Sequence, residues 1–408
     1  MEKNILPIKK AALVFFVFAC GYFLSCLLRA ITATLSPVLT TEFNLLAGDL
    51  GLLAGGYFLG FASMQIPLGY LLDKHGPKKI VSSFLLIAIV GTASFALAQS
   101  FAGLLISRIL IGAGVSACLM GPLTGYRIWF ADEYQQRGNS WMLMIASTGF
   151  VFSTLPVQIL LSIFGWRWIF GGITILIFIV IILILLFIPS WKNETDNNNE
   201  KNFGSLSDIW KNKFFRSTIP LGLFNYGGMI AIQTLWAGPW MVRVAGYNPL
   251  ESATGLFWIN TTMLIAFFVW GYILPKITKF GLETMKLMKF GLPISYLFLL
   301  VIIISGENAG AIHFTIYILT SIVLTLTQPA IALSFPTSLA GKSLTSFNLL
   351  IFLGTFIMQW GIGLVIDMCR FLGKGEIQSF QISFFIYLLI CIFSYLYFIF
   401  NNKNLKNE

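Results

Sequence analysis

Apolar residues run in stretches of roughly twenty along the whole chain, parted by short polar or glycine-rich breaks. None of the stretches alternates with the dyad period of a membrane barrel strand. Segments this long and this apolar predict membrane-crossing helices, because only a helix or a closed barrel satisfies its own backbone in lipid. The pattern predicts twelve spans, at 11–38, 47–71, 79–98, 103–129, 140–160, 167–188, 217–242, 253–274, 287–304, 311–334, 344–366 and 380–400. The one long polar break, 189–216, holds the low-complexity run Lys192–Lys201 and predicts a flexible linker between six helices (1–188) and six more (217–408). Within it, Leu206, Ile209, Trp210 and Phe214 line one side of a candidate surface helix.

Composition leads to the same class. Of 408 residues, 57% are apolar and 10% charged, against about 25% charged in ordinary soluble chains. The apolar stretch after Lys10 continues to about Leu28, so it reads as an uncleaved first helix rather than a signal peptide. The five cysteines lack metal spacing and read as small packing residues. No cofactor, metal or catalytic constellation is expected, and no phosphate-binding loop is present.

Charge sets orientation. Of 26 Lys and Arg, 20 fall on the side that also holds both termini, among them Lys9, Lys10, Lys78, Lys79, Lys211, Lys213, Lys276, Lys279 and Lys286. The opposite side holds Arg167, Arg243, Arg370 and Lys374. The positive-inside rule then puts both termini in the cytoplasm; a bacterial inner membrane is the expected location. The net charge of +10 is accounted for by the lipid surface and needs no nucleic-acid partner.

Between spans 2 and 3 lies Gly69-Tyr70-Leu71-Leu72-Asp73-Lys74-His75-Gly76-Pro77-Lys78-Lys79. This segment resembles the signature loop of the major facilitator superfamily, with Pro77 where that family usually has Arg. In span 4, Arg108-Ile109-Leu110-Ile111-Gly112-Ala113-Gly114 resembles the family's second motif, Arg-x-x-x-Gly-x-Gly. Weak echoes support two parallel halves: Gly69–Lys74 recurs at Gly271–Lys276, Gly51-Leu52 at Gly255-Leu256, and Gly138/Ser140 at Gly341/Ser343. The resemblance implies an all-α transporter that works by alternating access, as a monomer in the bilayer. Gly69, Asp73, Lys74, Gly76, Lys78 and Lys79 would form a charged gating loop, with Asp132, which follows span 4, clustered on the same face and Asp73 near the start of span 11. Gly112 and Gly114 let helices approach closely; Arg108 either gates or snorkels to the interface.

Arg29, deep in span 1, is the leading candidate for substrate contact. An intramembrane cation facing a wet cavity suits a carboxylate, and first-helix arginines occur in organic-anion branches of the family. Snorkelling, or a structural pair with Glu42 or Asp49, remains the alternative. Tyr22 shares its face. Asn225, Gln233 and Trp236 in span 7, Gln328 in span 10, and Asn348 and Gln359 in span 11 are expected to line the same cavity, or else to glue helices together. The expected partner is a small polar solute, with a proton or counter-solute for coupling. The Gly-Pro-rich span 5 motif of drug/proton antiporters is missing, which counts against drug/proton antiport; a transport-derived nutrient sensor and an exporter of amphipathic compounds are the alternatives.

Overall fold

The computed structural model describes residues 5–190, 206–279 and 284–403, all helices, turns and short loops with no strand among them. The run Lys192–Lys201 lies outside them. The first seven helices are α1 (Ile8–Phe43), α2 (Ala47–Ser63), α3 (Gln65–Leu97), α4 (Phe101–Val115), α5 (Ala117–Trp129), α6 (Asp132–Phe152) and α7 (Leu155–Phe187). The later ones are α8 (Leu206–Lys211), α9 (Lys213–Pro220), α10 (Gly227–Ala231), α11 (Ala237–Arg243), α12 (Pro249–Lys279), α13 (Thr284–Ser305), α14 (Ala311–Thr320), α15 (Thr327–Leu333), α16 (Thr337–Phe371) and α17 (Glu376–Lys403). Nine helical stretches among the described residues are long and apolar enough to cross a membrane.

The helices do not map one to one onto the twelve segments read from the sequence. Helices α3 and α7 each run 33 residues without a loop, or about 50 Å at 1.5 Å per residue, well beyond a hydrocarbon core of about 30 Å. Each contains one non-helical residue, Gly76 or Gly165, both at φ 76°, ψ 162°. That region is essentially open to glycine alone. So each long helix is two segments meeting at a one-residue corner. Pro77 follows at once, where a helix start tolerates proline and its missing N–H costs nothing. The stretch 213–243 is interrupted by π-helical turns at Leu221–Tyr226 and Ile232–Trp236.

Contacts divide the chain into two compact units. One holds residues up to Leu35 and those from Gly56 to the end of α7; the other holds Ser36–Gly55 and everything from α8 onward. Helices α1 and α2 therefore each have one end in either unit.

In the first unit, glycines set helix spacing. A Cβ on Gly112 would lie 1.9 Å from the carbonyl oxygen of Tyr57, and one on Gly114 would lie 2.3 Å from the amide nitrogen of Ala88. These contacts bring α4 against α2 and α3 at backbone distance. In the second unit, α8 and α9 do not lie free on a surface. Ile209 and Phe215 are fully buried with Ile331, Phe347, Leu350 and Ile351, while Trp210 stays exposed and Phe214 half-buried.

Gly76→Ala and Gly165→Ala should each lower stability by about 1–3 kcal/mol, the cost of a side chain in that backbone region. A methyl group at Gly165 would meet open space, so strain there should be purely conformational. Thermal unfolding of purified protein checks this; an unchanged midpoint for Gly165→Ala would mean the corner can relax.

Candidate functional site

Helix α1 carries Arg29 inside the first unit at 9% exposure. Three aromatic rings surround its guanidinium, with centroids at 5.1 Å (Phe61), 5.9 Å (Phe150) and 6.0 Å (Tyr57). Cys26 and Tyr22, one and two turns back on the same face, lie within electrostatic reach. Cation–π contacts of this kind are worth about 0.5–2 kcal/mol each when desolvated. They hold a cation without neutralising it.

Arg108 occupies the neighbouring position. It is completely buried, donates from Nη1 to the carbonyl oxygen of Leu28 at 2.9 Å, and lies 5.3 Å from the Tyr57 ring centroid. Its Nε and Nη2 have no hydrogen-bond partner among the described residues. Gly112, one turn further along α4, is what permits this: its bare backbone rests on Tyr57, which brings the Tyr57 ring over Arg108. The Tyr57 hydroxyl donates to the carbonyl oxygen of Ser25 at 3.0 Å. Two guanidiniums thus share one tyrosine ring, linked through α1.

The polar stripes of the second unit bond largely to one another. Asn225 donates to Ser394 Oγ at 3.0 Å and to the carbonyl oxygen of Cys391 at 3.3 Å, and accepts from the Tyr296 hydroxyl at 2.6 Å. Gln233 donates to Asn260 Oδ1 at 2.9 Å. The Trp236 indole donates to the carbonyl oxygen of Gln359 at 3.1 Å, and Gln359 donates to Thr234 Oγ1 at 3.0 Å. Gln328 donates to Asn348 Oδ1 at 2.9 Å. The exception is Gln359 Oε1, buried with no partner among the described residues. Asn225, Gln233 and Trp236 all fall in the two π-helical turns, a distortion that often marks functional positions.

The loop residues sit at the Gly76 corner of α3. Asp73 and Lys74 are exposed, as is Lys79, while Lys78 is half-buried. Lys74 Nζ donates to the Tyr70 hydroxyl at 3.4 Å, and Gly69 faces open space. The side chain of Asp132 lies outside the described residues. Among the described residues no cluster of three His, Cys, Asp or Glu could hold a metal.

Sequence reasoning passed over Tyr57, Phe61 and Phe150, which build the cage, and Asn260 and Tyr296, which complete the amide contacts. Tyr57 and Phe61 stand one turn apart on α2, and that aromatic pair was a visible signal. It needed Arg29 opposite to mean anything.

A multi-pass helical membrane protein with buried arginines and amides in its core is built like a secondary transporter. The profile of the Major Facilitator Superfamily matches residues 18–359, and the chain belongs to that superfamily. It is 22% identical to a probable sulfoacetate transporter of Cupriavidus necator, covering 59% of each chain. It is 28% identical to a quinolone resistance protein of Staphylococcus aureus, covering 54% of this chain and 57% of the relative. The matched region spans less than two thirds of these relatives' length. Among solved structures, a bacterial homologue of the human lysosomal transporter Spinster, inward-facing and occupied, aligns at TM-score 0.79 with 16% identity over 98% of both chains. The POT family transporter PepTSo aligns at 0.77 with 14% identity over 99% of both. These likenesses show the fold.

Asn225 has three polar contacts, all within its own unit. Asn225→Ala should strip the Tyr296 hydroxyl of its acceptor and cost about 1–3 kcal/mol. Thermal unfolding with and without ligand checks this. A stable variant with weakened binding would make Asn225 a ligand contact.

Proposed function

We propose that this transporter moves a small organic anion across a bacterial inner membrane by alternating access. In this reading Arg29 holds the anionic group and Arg108 sustains the positive potential behind it. The observation that carries the reading is the shared Tyr57 ring. Two buried guanidiniums lie on it, and one has two N–H-bearing nitrogens without hydrogen-bond partners among the described residues. A buried guanidinium with N–H groups left unpartnered is costly, and an anion bound beside it offsets that cost. The likeness to a probable sulfoacetate transporter supports the same substrate class.

The wider arrangement belongs to the same proposal. The chain crosses the membrane twelve times in two six-helix halves, 1–188 and 217–408, joined by the cytoplasmic segment 189–216, and works as a monomer. Asp73 and the lysines beside the Gly76 corner form the cytoplasmic gate. Gln233, Trp236 and Gln359 are the strongest second-unit candidates for the solute's neutral parts. Export of amphipathic compounds is the second reading, favoured by the aromatic wall of Phe61 and Phe150 and by the quinolone-resistance relative.

Proteoliposome flux separates the two. Arg29→Ala should abolish uptake of a sulfonate or carboxylate such as sulfoacetate, and Arg29→Lys should restore some of it, since an ammonium lacks the planar two-donor fork. The empty Arg29→Ala protein should be as stable as the parent. A loss of several kcal/mol would instead mark Arg29 as half of a structural ion pair. A neutral amide analogue bound as well as its parent acid would overturn the anion reading.

Orientation has its own check. A cysteine at position 198 should react with an impermeant maleimide only from the cytoplasmic side, and one at position 306 only from the outside. The reverse pattern would invert every side assigned above.

A further inference from the structure

The start of α2 is held by two carboxylates. Leu46 donates its N–H to Asp49 Oδ2 at 3.0 Å, a cap from within the same turn. The next two N–H groups leave the local chain altogether. Ala47 donates to Asp367 Oδ1 at 3.0 Å and Gly48 to Asp367 Oδ2 at 2.6 Å, across 320 and 319 residues of sequence. Asp367 sits near the end of α16. One carboxylate thus takes both leading donors of another helix, where unpaired N–H groups and the helix dipole favour an anion.

Below this clamp, α2 and α16 touch backbone to backbone. A Cβ on Gly51 would lie 2.3 Å from the carbonyl oxygen of Gln359, and one on Gly363 would lie 2.3 Å from that of Ala47. Gly55 abuts the Phe356 ring in the same way. Beside the seam remains a cleft of only ≈ 20 Å³, lined by Ser36, Thr40, Leu50, Pro239 and Arg243 among others, about the room one water needs. Leu50 is 1% exposed. Charges ring the clamp. Arg243 feels Asp367 and lies 3.6 Å from Glu376, which also pairs with Arg370 at 2.5 Å.

The joined segment is Ser36–Gly55, the portion of α1 and α2 that packs with the second unit while the rest of both helices packs with the first. A transporter that alternates access must open such a seam each cycle. We infer that Asp367 is a gating residue: its carboxylate, clamped on the leading N–H groups of α2, holds the 36–55 tip shut against α16, and its release lets that end open. The glycines supply a tight but nearly featureless fit, and the carboxylate supplies the bond that makes closure specific. This rests on the transporter class and is independent of which solute is carried.

Alkylation of Leu50→Cys in the full-length protein, purified in detergent and read peptide by peptide, tests the inference without any substrate. Native Cys391, buried in α17 of the same unit, reports unfolding. Adding Asp367→Asn should raise the rate at position 50 at least fivefold while Cys391 stays unreactive, and Asp367→Glu should recover some of the protection. Gly51→Ala, a wedge placed against Gln359 with the clamp residues intact, should raise the position 50 rate in the same selective way. An unchanged rate at position 50 in Asp367→Asn would overturn the inference. So would a rise at Cys391 matching that at position 50 in both variants, because the carboxylate and the glycine would then be supporting the fold at large.

Discussion

A bilayer core offers no hydrogen-bond partners, and the rest of this structure follows from that constraint. Each polar group has to be met from inside the protein, and hydroxyls do it locally. Thr92 donates to the carbonyl oxygen of Ala88, Ser107 to that of Gly103, Thr234 to that of Ile230 and Thr355 to that of Ile351, each four residues back. Such residues cost little in lipid because they never leave their own helix. Amides reach further, and in pairing with other side chains they fix which helices touch: Gln328 with Asn348, Gln233 with Asn260, Gln359 with Thr234. What cannot be met locally or in pairs then stands out. Arg108 keeps two buried nitrogens without partners among the described residues. Close by, the ring faces of Tyr57, Phe61 and Phe150 surround Arg29.

Close approach makes that arrangement possible. Were Gly112 any larger residue, α4 would stand off from α2, and Tyr57 would no longer lie over Arg108. The same device serves a different purpose at Gly51 and Gly363. There the two backbones belong to α2 and α16, and the absence of side chains means that little has to interdigitate or disengage when they meet. Small residues with a few bonds suit a seam that must open, while knobs locked into holes suit one that must stay shut.

Membrane class, helical architecture and family were legible from the apolar stretches, the Gly69–Lys79 segment and the Arg108–Gly114 motif. Periodicity could show that Arg29 and Tyr22 share a face, but not that Phe61 and Phe150 close over the guanidinium, because that depends on how helices from separate stretches are set against each other. Arg108 is the sharper case. Its position in a motif suggested a gate or an interfacial snorkel, whereas its geometry puts it beside Arg29 through Tyr57 and the Leu28 carbonyl. The apolar side of residues 206–215 was visible too, yet an apolar stripe fits lipid and a protein groove equally well, and Ile209 and Phe215 face the latter. Least legible was Asp367. A single carboxylate at a helix end carries no signal of its own, and its partners are backbone N–H groups 320 and 319 residues away.

The energies involved fit a protein that has to change state. A carboxylate at a helix N-terminus is worth about 0.3–2 kcal/mol, and every 1.4 kcal/mol is about a tenfold shift in a population. A clamp of that size biases the closed seam without trapping it. A buried, fully desolvated ion pair in the same place would risk several kcal/mol in either direction and would make one state too deep to leave. Asp367 avoids this by remaining only partly buried, bonding to N–H dipoles instead of a full positive charge, and leaving Arg243 to pair with Glu376 nearby. Arg29 and Arg108 are placed in the opposite regime, deep and far from solvent, where electrostatic interactions are strong. Weak contacts at the seam can be made and broken at little cost, whereas the buried guanidiniums are held where any change in their surroundings carries a large electrostatic consequence.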